Sequence, residues 1–374
     1  MKVLLVTGIF PPDYGGPASY VPTIASALCE AGHKVLGVVT LSDRTENDDS
    51  NYPFAVHRIQ RRQSRWLRWL QTVSLVRRLA IGADVVYLNG LVLEGVLATK
   101  IFGSRPVVIK VVGDLIWERA QNQQAIQLDI NEFQIAKLSL RWMLLRRLQG
   151  WYTARADRVI VPSRYLAEIV ACWGVARDRL KVVYNAVPVP EVADAANVPV
   201  ADIVTVARLV PWKGVAELIT IAAHHDWSLR VVGDGPLRKE LELFAQSSGA
   251  NVSFIGHVEK SLVPAEIRRG RLFVLNSKYE GLPHIVLEAK ACGVAVVATA
   301  AGGTTETIAD GIDGWLVPIG DSDALAAVIG RVLLDESMRD ASVRAAHKKL
   351  AEKFSFSSMV RNTEMVLMES CGEQ

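Results

Sequence analysis

Paired cysteines are missing from this chain. Cys29, Cys172, Cys292 and Cys371 are its only four in 374 residues, lie far apart, and form no C-x-x-C pair or metal-ligand spacing. That argues against a disulfide framework or a zinc site and for reduced thiols in a cytosolic protein. No apolar run approaches the ~20 residues needed to span a bilayer. Met1 to Phe10 is apolar but carries one lysine and stops at Pro11-Pro12 without a small-residue cleavage site, so it reads as a first strand rather than a signal peptide. A surplus of one charge is also missing. The net charge of +3 is too small by itself for nucleic-acid binding. Short-period repeats, low-complexity tracts and the G-x-G-x-x-G dinucleotide fingerprint are absent too.

What remains is the composition of an ordered globular protein, 50% hydrophobic and 22% charged. A chain of this length suits two domains. Val3 to Thr7 is a continuous apolar run, as in a buried strand, and it enters a loop with Gly15-Gly16 followed by a helix from about Ala18 to Ala31. Further strands are expected at Lys34–Thr40, Asp84–Leu88, Val107–Val111 and Arg158–Val161. Val187 to Pro199 carries three prolines and little periodicity, which marks an interdomain linker. The pattern then restarts with apolar runs at Ile203–Ala207, Leu229–Val232, Val252–Ile255, Leu272–Leu275, Val294–Ala298 and Trp315–Val317. Strands alternating with helices imply α/β architecture: two Rossmann-like, doubly wound parallel sheets facing a cleft, with ligands at the carboxyl ends of the strands.

The chemistry concentrates in Tyr279-Glu280-Gly281-Leu282-Pro283-His284-Ile285-Val286-Leu287-Glu288. Gly281 and Pro283 break the segment before a helix, so Glu280 and Glu288 can both face one cleft beside a helix N-terminus that attracts anions. A carboxylate can accept two hydrogen bonds from a sugar diol, each charge-assisted bond contributing roughly 1.5–3 kcal/mol. A loop solvator and a first-turn helix charge are the plainer readings of the same two residues. Arg208 ends one strand and Lys213 precedes a helix from about Val215, where a forked guanidinium and a point charge could meet a diphosphate. Solvated surface cations are the plainer reading there. Asp321-Ser322-Asp323 has a D-x-D spacing, yet it precedes Ala324-Leu325 and is better read as a helix cap.

Five motifs then occur in one order: Phe10-Pro11-Pro12 with Gly15-Gly16; Ala207-Arg208-Leu209 with Lys213-Gly214; Gly233-Asp234-Gly235-Pro236; Glu280-x7-Glu288; and Gly302-Gly303-x-x-Glu306 with Asp310-Gly311-x-x-Gly314. With them the chain resembles the group 1 glycosyltransferases, a large retaining family with the two-Rossmann GT-B fold, over nearly its whole length. The resemblance implies a nucleotide-diphosphate sugar as donor, with no further cofactor and no metal. It implies that Glu288 holds the ribose hydroxyls and Glu280 the donor sugar. Arg208, Lys213 and the Gly15-Gly16 backbone would neutralise the diphosphate, helped by the Ile285 and Val286 amides, and the base would lie near Gly256-His257-Val258. It implies an acceptor-binding first domain (1–186) rejoined by a last helix (about 357–374), and a donor-binding second domain (187–356). Many members carry a histidine after the strand equivalent to Val107–Val111. This chain has none there, and Asp114 is the nearest polar candidate for a hydroxyl or a base.

Two basic stretches remain. Arg58 to Arg78 holds seven arginines and no acid, with Trp66, Trp69, Leu70, Val73 and Val76 on one helical face. Lys137 to Arg147 interleaves four cations with Trp142, Met143, Leu144 and Leu145. A basic helix with tryptophan suits an anionic membrane surface, whereas core packing with solvated arginines explains the same pattern. The expectation is a cytoplasmic enzyme, or one peripheral on the inner face of the cell membrane, acting on a glycan or lipid-linked glycan. The competing readings are a nucleotide-sugar epimerase of the same fold and a non-catalytic, membrane-docked binding protein.

Overall fold

In the computed structural model the described residues are 1–13, 15–43, 49–123, 125–126, 128–187 and 199–372. Two wholly parallel sheets follow one another along the chain. The first contains β1 (Lys2–Thr7), β2 (Lys34–Ser42), β3 (Val56–Gln60), β4 (Val85–Asn89), β5 (Val107–Lys110), β6 (Arg158–Val161) and β7 (Leu180–Val182). Its spatial order is 3-2-1-4-5-6-7. The second contains β8 (Ala201–Val206), β9 (Leu229–Val232), β10 (Val252–Gly256), β11 (Gly270–Leu275), β12 (Ala295–Thr299) and β13 (Trp315–Val317), ordered 10-9-8-11-12-13. In each sheet the order reverses beside the first strand of that half. Such switch points open a crevice at the carboxyl ends of the strands.

The central strands β1, β4 and β5 are buried almost throughout, so their side chains form the continuous apolar runs legible in the sequence. β3 and β7 were not expected. One buries a single residue and the other none, because edge strands need no apolar run. The expected linker at 187–199 falls mainly on residues 188–198, outside the described residues.

The last helix, Phe356–Cys371, buries Met359, Thr363, Val366 and Leu367 in the cluster that holds Val3, Leu5, Val21, Ile24, Val85 and Val108. It thus crosses back to cover the first sheet, starting one residue before the expected position. His33 Nε2 meets Glu364 Oε1 of this helix at 2.6 Å. Asp321 caps the Ser322–Leu334 helix, accepting the Ala324 N–H at 2.9 Å, as the capping reading of the D-x-D spacing requires.

The Arg65–Ala80 helix divides the face on which Trp66 to Val76 were grouped. Thr72, Val73, Val76 and Ala80 are buried, whereas Trp66 is 79% exposed and Leu70 57%. Two of the basic stretch's arginines are structural: Arg58 pairs with Asp49, and Arg61 bridges Asp13 and Asp43. In the Leu140–Thr153 helix Trp142 is core, while Leu140, Leu144 and Leu148 point outward.

Leu367 is fully buried, so Leu367→Ala is expected to cost about 2–5 kcal/mol. The measurement is a lower urea midpoint at unchanged slope. A loss under about 1 kcal/mol would show that this helix is not part of the cooperative core.

Candidate active site

The site begins at the carboxyl end of β8. Arg208 leaves the strand, and the turn Pro211–Lys213 ends at Gly214, whose φ of 61° starts the Val215–His224 helix. A Cβ at Gly214 would lie 2.1 Å from the Asn276 carbonyl oxygen, so only glycine lets this turn press against the loop after β11. That contact brings Lys213 to Glu280. Lys213 Nζ lies 2.5 Å from Glu280 Oε1, and Ser277 Oγ donates to the same oxygen at 2.6 Å. Arg208 is exposed and its guanidinium has no hydrogen bond or ion pair among the described residues. Glu118, from the Leu115–Asn122 helix of the first sheet, enters the same field. Burial and the nearby Asp114 push its pKa up, while Lys213 and Arg208 pull it down.

The loop after β12 supports this arrangement from behind. Gly303 donates its N–H to the Glu280 carbonyl at 2.8 Å, and a Cβ on Gly303 would sit 2.0 Å from the Gly281 oxygen. The same Gly281 oxygen accepts from Ser163 Oγ of the first half at 2.5 Å. Glu306 then crosses between the halves. Its carboxylate accepts the N–H groups of Arg164 at 3.0 Å and Tyr165 at 2.9 Å, the first turn of the Arg164–Ala171 helix, and the Tyr184 hydroxyl at 2.8 Å. Burial and that carboxylate push the Tyr184 pKa up to about 12. Above the loops, Trp117 of the first half packs on Trp212 and Tyr279 of the second, with ring centroids 5.5 and 4.8 Å apart.

Glu288 lies one turn into the His284–Ala291 helix. It is half-buried, and burial raises its pKa against the opposing pull of Lys260. Val258 and Ile285 pack on the cluster that buries Val286. The Val286 N–H turns back onto the Pro283 carbonyl at 3.1 Å, which leaves the Ile285 N–H as the better placed of the two expected amides. On the helix's inner side Lys290, only 2% exposed, meets Asp313 at 3.0 Å. Burial pushes its amine down to about 8.

The first half contributes Gly15 and Gly16 at the start of the Gly16–Glu30 helix. Gly15 has φ 142° and a Cβ there would meet Ile9 at 2.7 Å, so the close loop needs glycine. Asp114 is 1% exposed and caps the Leu115–Asn122 helix. It accepts from the N–H groups of Ile116 and Trp117 at 3.1 Å each, from Gln134 at 2.9 Å and from Gln149 at 3.2 Å. An aspartate directly before an apolar helical run was the available signal for that capping role.

Three residues without an expected chemical role also meet in the cleft. Lys110 Nζ lies 2.7 Å from Asn185 Oδ1, and Asn185 Nδ2 lies 2.6 Å from His284 Nε2. Lys110 also stands 3.4 Å over the Tyr20 ring. His284 and Gly16 line one cavity of about 210 Å³ with Tyr20, Asn89, Lys110 and Asn185. The family model described as Glycosyltransferase Family 4 matches residues 14–190, and that described as Glycosyl transferases group 1 matches 194–349. An uncharacterised glycosyltransferase of Methanocaldococcus jannaschii is 24% identical over 371 residues, 99% of this chain and 98% of that protein. The GDP-mannose-dependent alpha-(1-6)-phosphatidylinositol monomannoside mannosyltransferase of Mycolicibacterium smegmatis is 27% identical over 355 residues, 89% of each chain. Among solved structures, Anabaena HepE in complex with UDP and glucose superposes with a TM-score of 0.77 at 19% identity, covering 99% of this chain and all of that one. Sucrose-phosphate synthase from Thermosynechococcus elongatus superposes with a TM-score of 0.80 at 20% identity over the full length of both. These two likenesses give the fold, GT-B.

His284 opens onto the cleft, yet crowding by its walls, with Lys110 and Lys260 nearby, pushes its pKa from 6.5 down to about 4. Between those values the unfolded chain binds a proton that the folded chain does not, so stability falls as the pH drops through that window. His284→Gln should flatten the slope of urea midpoint against pH there. An unchanged slope would show that His284 titrates normally in the folded protein.

Proposed function

This chain belongs to the group 1 glycosyltransferases and is an enzyme that transfers sugar, and we propose that it does so with retention, from a nucleotide-diphosphate sugar to a hydroxyl of a glycan or lipid-linked glycan. The observation that carries the reading is the meeting of Arg208, Lys213 and Glu280 at the carboxyl edge of the second sheet. Arg208 is free to fork onto a phosphate, and Lys213 has a carboxylate to exchange for one. Positive charge fixed where the diphosphate departs stabilises the transition state more than the ground state. Glu280 then turns to the donor sugar, Glu288 to the ribose, and the Ile285 amide with the Gly15-Gly16 backbone to the phosphates. Val258 borders the base. In the retaining step the acceptor oxygen bonds the anomeric carbon on the face that the diphosphate leaves. The acceptor proton passes to a departing phosphate oxygen. Asp114 serves this reading by fixing the loop before Trp117 and Glu118, with the two halves divided near residue 187.

The acceptor class draws on the mycolicibacterial relative, which its name places on a phosphatidylinositol mannoside. It also draws on the outward Trp66, Leu67 and Leu70 beside the arginines of one helix. Cations near anionic lipid contribute about 1 kcal/mol each. No helix among the described residues is long and apolar enough to cross a membrane, so the attachment proposed is peripheral, at the inner face of the cell membrane.

Lys213→Ala and Glu288→Ala should each lower transfer by about 10²–10³-fold, the scale of losing one charge-stabilising group. The donor for that assay comes from a thermal-shift screen of UDP-, GDP-, ADP- and TDP-sugars; near-normal rates in both variants would refute the site. Full-length protein should co-sediment with phosphatidylserine vesicles at low salt, and Trp66→Ser should weaken that binding. Absence of binding even at low salt would remove the membrane from the proposal.

A further inference from the structure

We propose that Lys110 and Asn185 are positioning residues that hold His284 as its Nδ1–H tautomer, so that His284 presents a fixed hydrogen-bond donor to a sugar hydroxyl in the cavity between the two halves. The identity of the ligand rests on the glycosyltransferase reading; the tautomer does not. The order of the three groups sets the proton's position. Lys110 Nζ, charged or neutral, has N–H bonds to donate, and it faces Asn185 Oδ1 at 2.7 Å. That contact turns the other end of the amide, Nδ2, toward His284 Nε2 at 2.6 Å. An amide N–H donates, so Nε2 accepts and carries no proton. The single proton of the neutral ring is then on Nδ1. Among the described residues Nδ1 has no hydrogen-bond partner.

The surroundings keep the ring neutral. A second proton would have to sit on Nε2, against the Asn185 N–H. The charged groups facing the ring are Lys110 and Lys260, both repelling a further positive charge. His284 also opens the His284–Ala291 helix, whose N-terminal end disfavours a cation. The result is a donor whose state does not change across neutral pH.

The cavity that His284 faces fits an oxygen-rich ligand without positive charge. Its volume is about 210 Å³, below the ~300–1,000 Å³ of sites for larger ligands, so it suits one sugar ring and not a nucleotide. Asn89 lines it, is nine-tenths buried, and has an Nδ2 that makes no hydrogen bond of good geometry, with the Tyr87 hydroxyl as its polar neighbour. Two walls of the cavity therefore offer N–H groups in want of acceptors, and hydroxyl oxygens can take both. Asn89 is buried, where an amide N–H without an acceptor is costly, so occupancy by a hydroxylated ring is favoured over an apolar one. This makes His284 a residue that selects the orientation of a sugar hydroxyl.

The test is long-range ¹H–¹⁵N NMR of full-length protein labelled on histidine, at neutral pH, with the His284 signals assigned by their loss in His284→Gln. A protonated Nδ1 and a bare Nε2 are expected. In Asn185→Asp, where a carboxylate replaces the amide donor, the proton should move to Nε2. A bare Nδ1 in the wild-type protein overturns the proposal, and so does a tautomer unchanged in Asn185→Asp. The wild-type spectrum decides the point even if that variant does not fold. In transfer assays with the nucleotide sugar that binds, His284→Leu should lower kcat/KM by about tenfold, the loss of one neutral hydrogen bond. His284→Gln, whose amide can accept from Asn185 and donate to the cavity, should stay within about threefold. Equal losses in the two variants would mean a purely structural role. Failure of every nucleotide sugar to bind would sink the glycosyltransferase reading, while the tautomer is still read from the free protein.

Discussion

The cleft depends on one carboxylate. Glu306 stands in the second half, yet its oxygens are taken by two backbone N–H groups at the start of a helix in the first half and by the Tyr184 hydroxyl. Negative charge at a helix N-terminus stabilises by roughly 0.3–1 kcal/mol when exposed and up to ~2 kcal/mol when partly buried, and here it joins two bodies that share no sheet. The glycines at 302 and 303 let the loop carrying Glu306 lie directly against Glu280 and Gly281. The contact that registers the halves therefore also sets the position of the Glu280 loop.

Charge in the cleft is arranged in reserve. Lys213 is held by Glu280, Glu288 carries a raised pKa, and Arg208 is left in solvent. Under the proposed function, a diphosphate entering this field would meet Arg208 first and Lys213 once Glu280 releases it, and the freed carboxylate would then be available to the sugar.

Much of this was legible in the sequence because it is local. The helix expected from Val215, the strand at Trp315–Val317 and the cap at Asp321 are found at those residues, since each follows from a turn, an apolar run or a side chain a few positions away. β3 and β7 were illegible because edge strands bury too little to leave an apolar signature. Asp114 stood out as a lone acid near the cleft, and its four hydrogen bonds come partly from Gln134 and Gln149, far along the chain. The Lys110–Asn185–His284 chain spans separations of 75 and 99 residues. No spacing rule reaches that far; only the packing of two halves shows it.

The chain passes between the halves twice, once after β7 and once before the last helix, and the described residues at these passages, Tyr184 and Val187 with Leu350 and Phe354, lie side by side. Tyr184 meets Phe354 edge-on at 5.3 Å, and Val187, Leu350 and Phe354 share one apolar cluster with Leu282 and Leu287. A molecule stitched at a single seam by two threads resists exchange of its halves with a neighbour. To form an intertwined dimer it would have to unlace both passages together and bare that cluster to water. The same packing ties the two halves of one copy together at this seam.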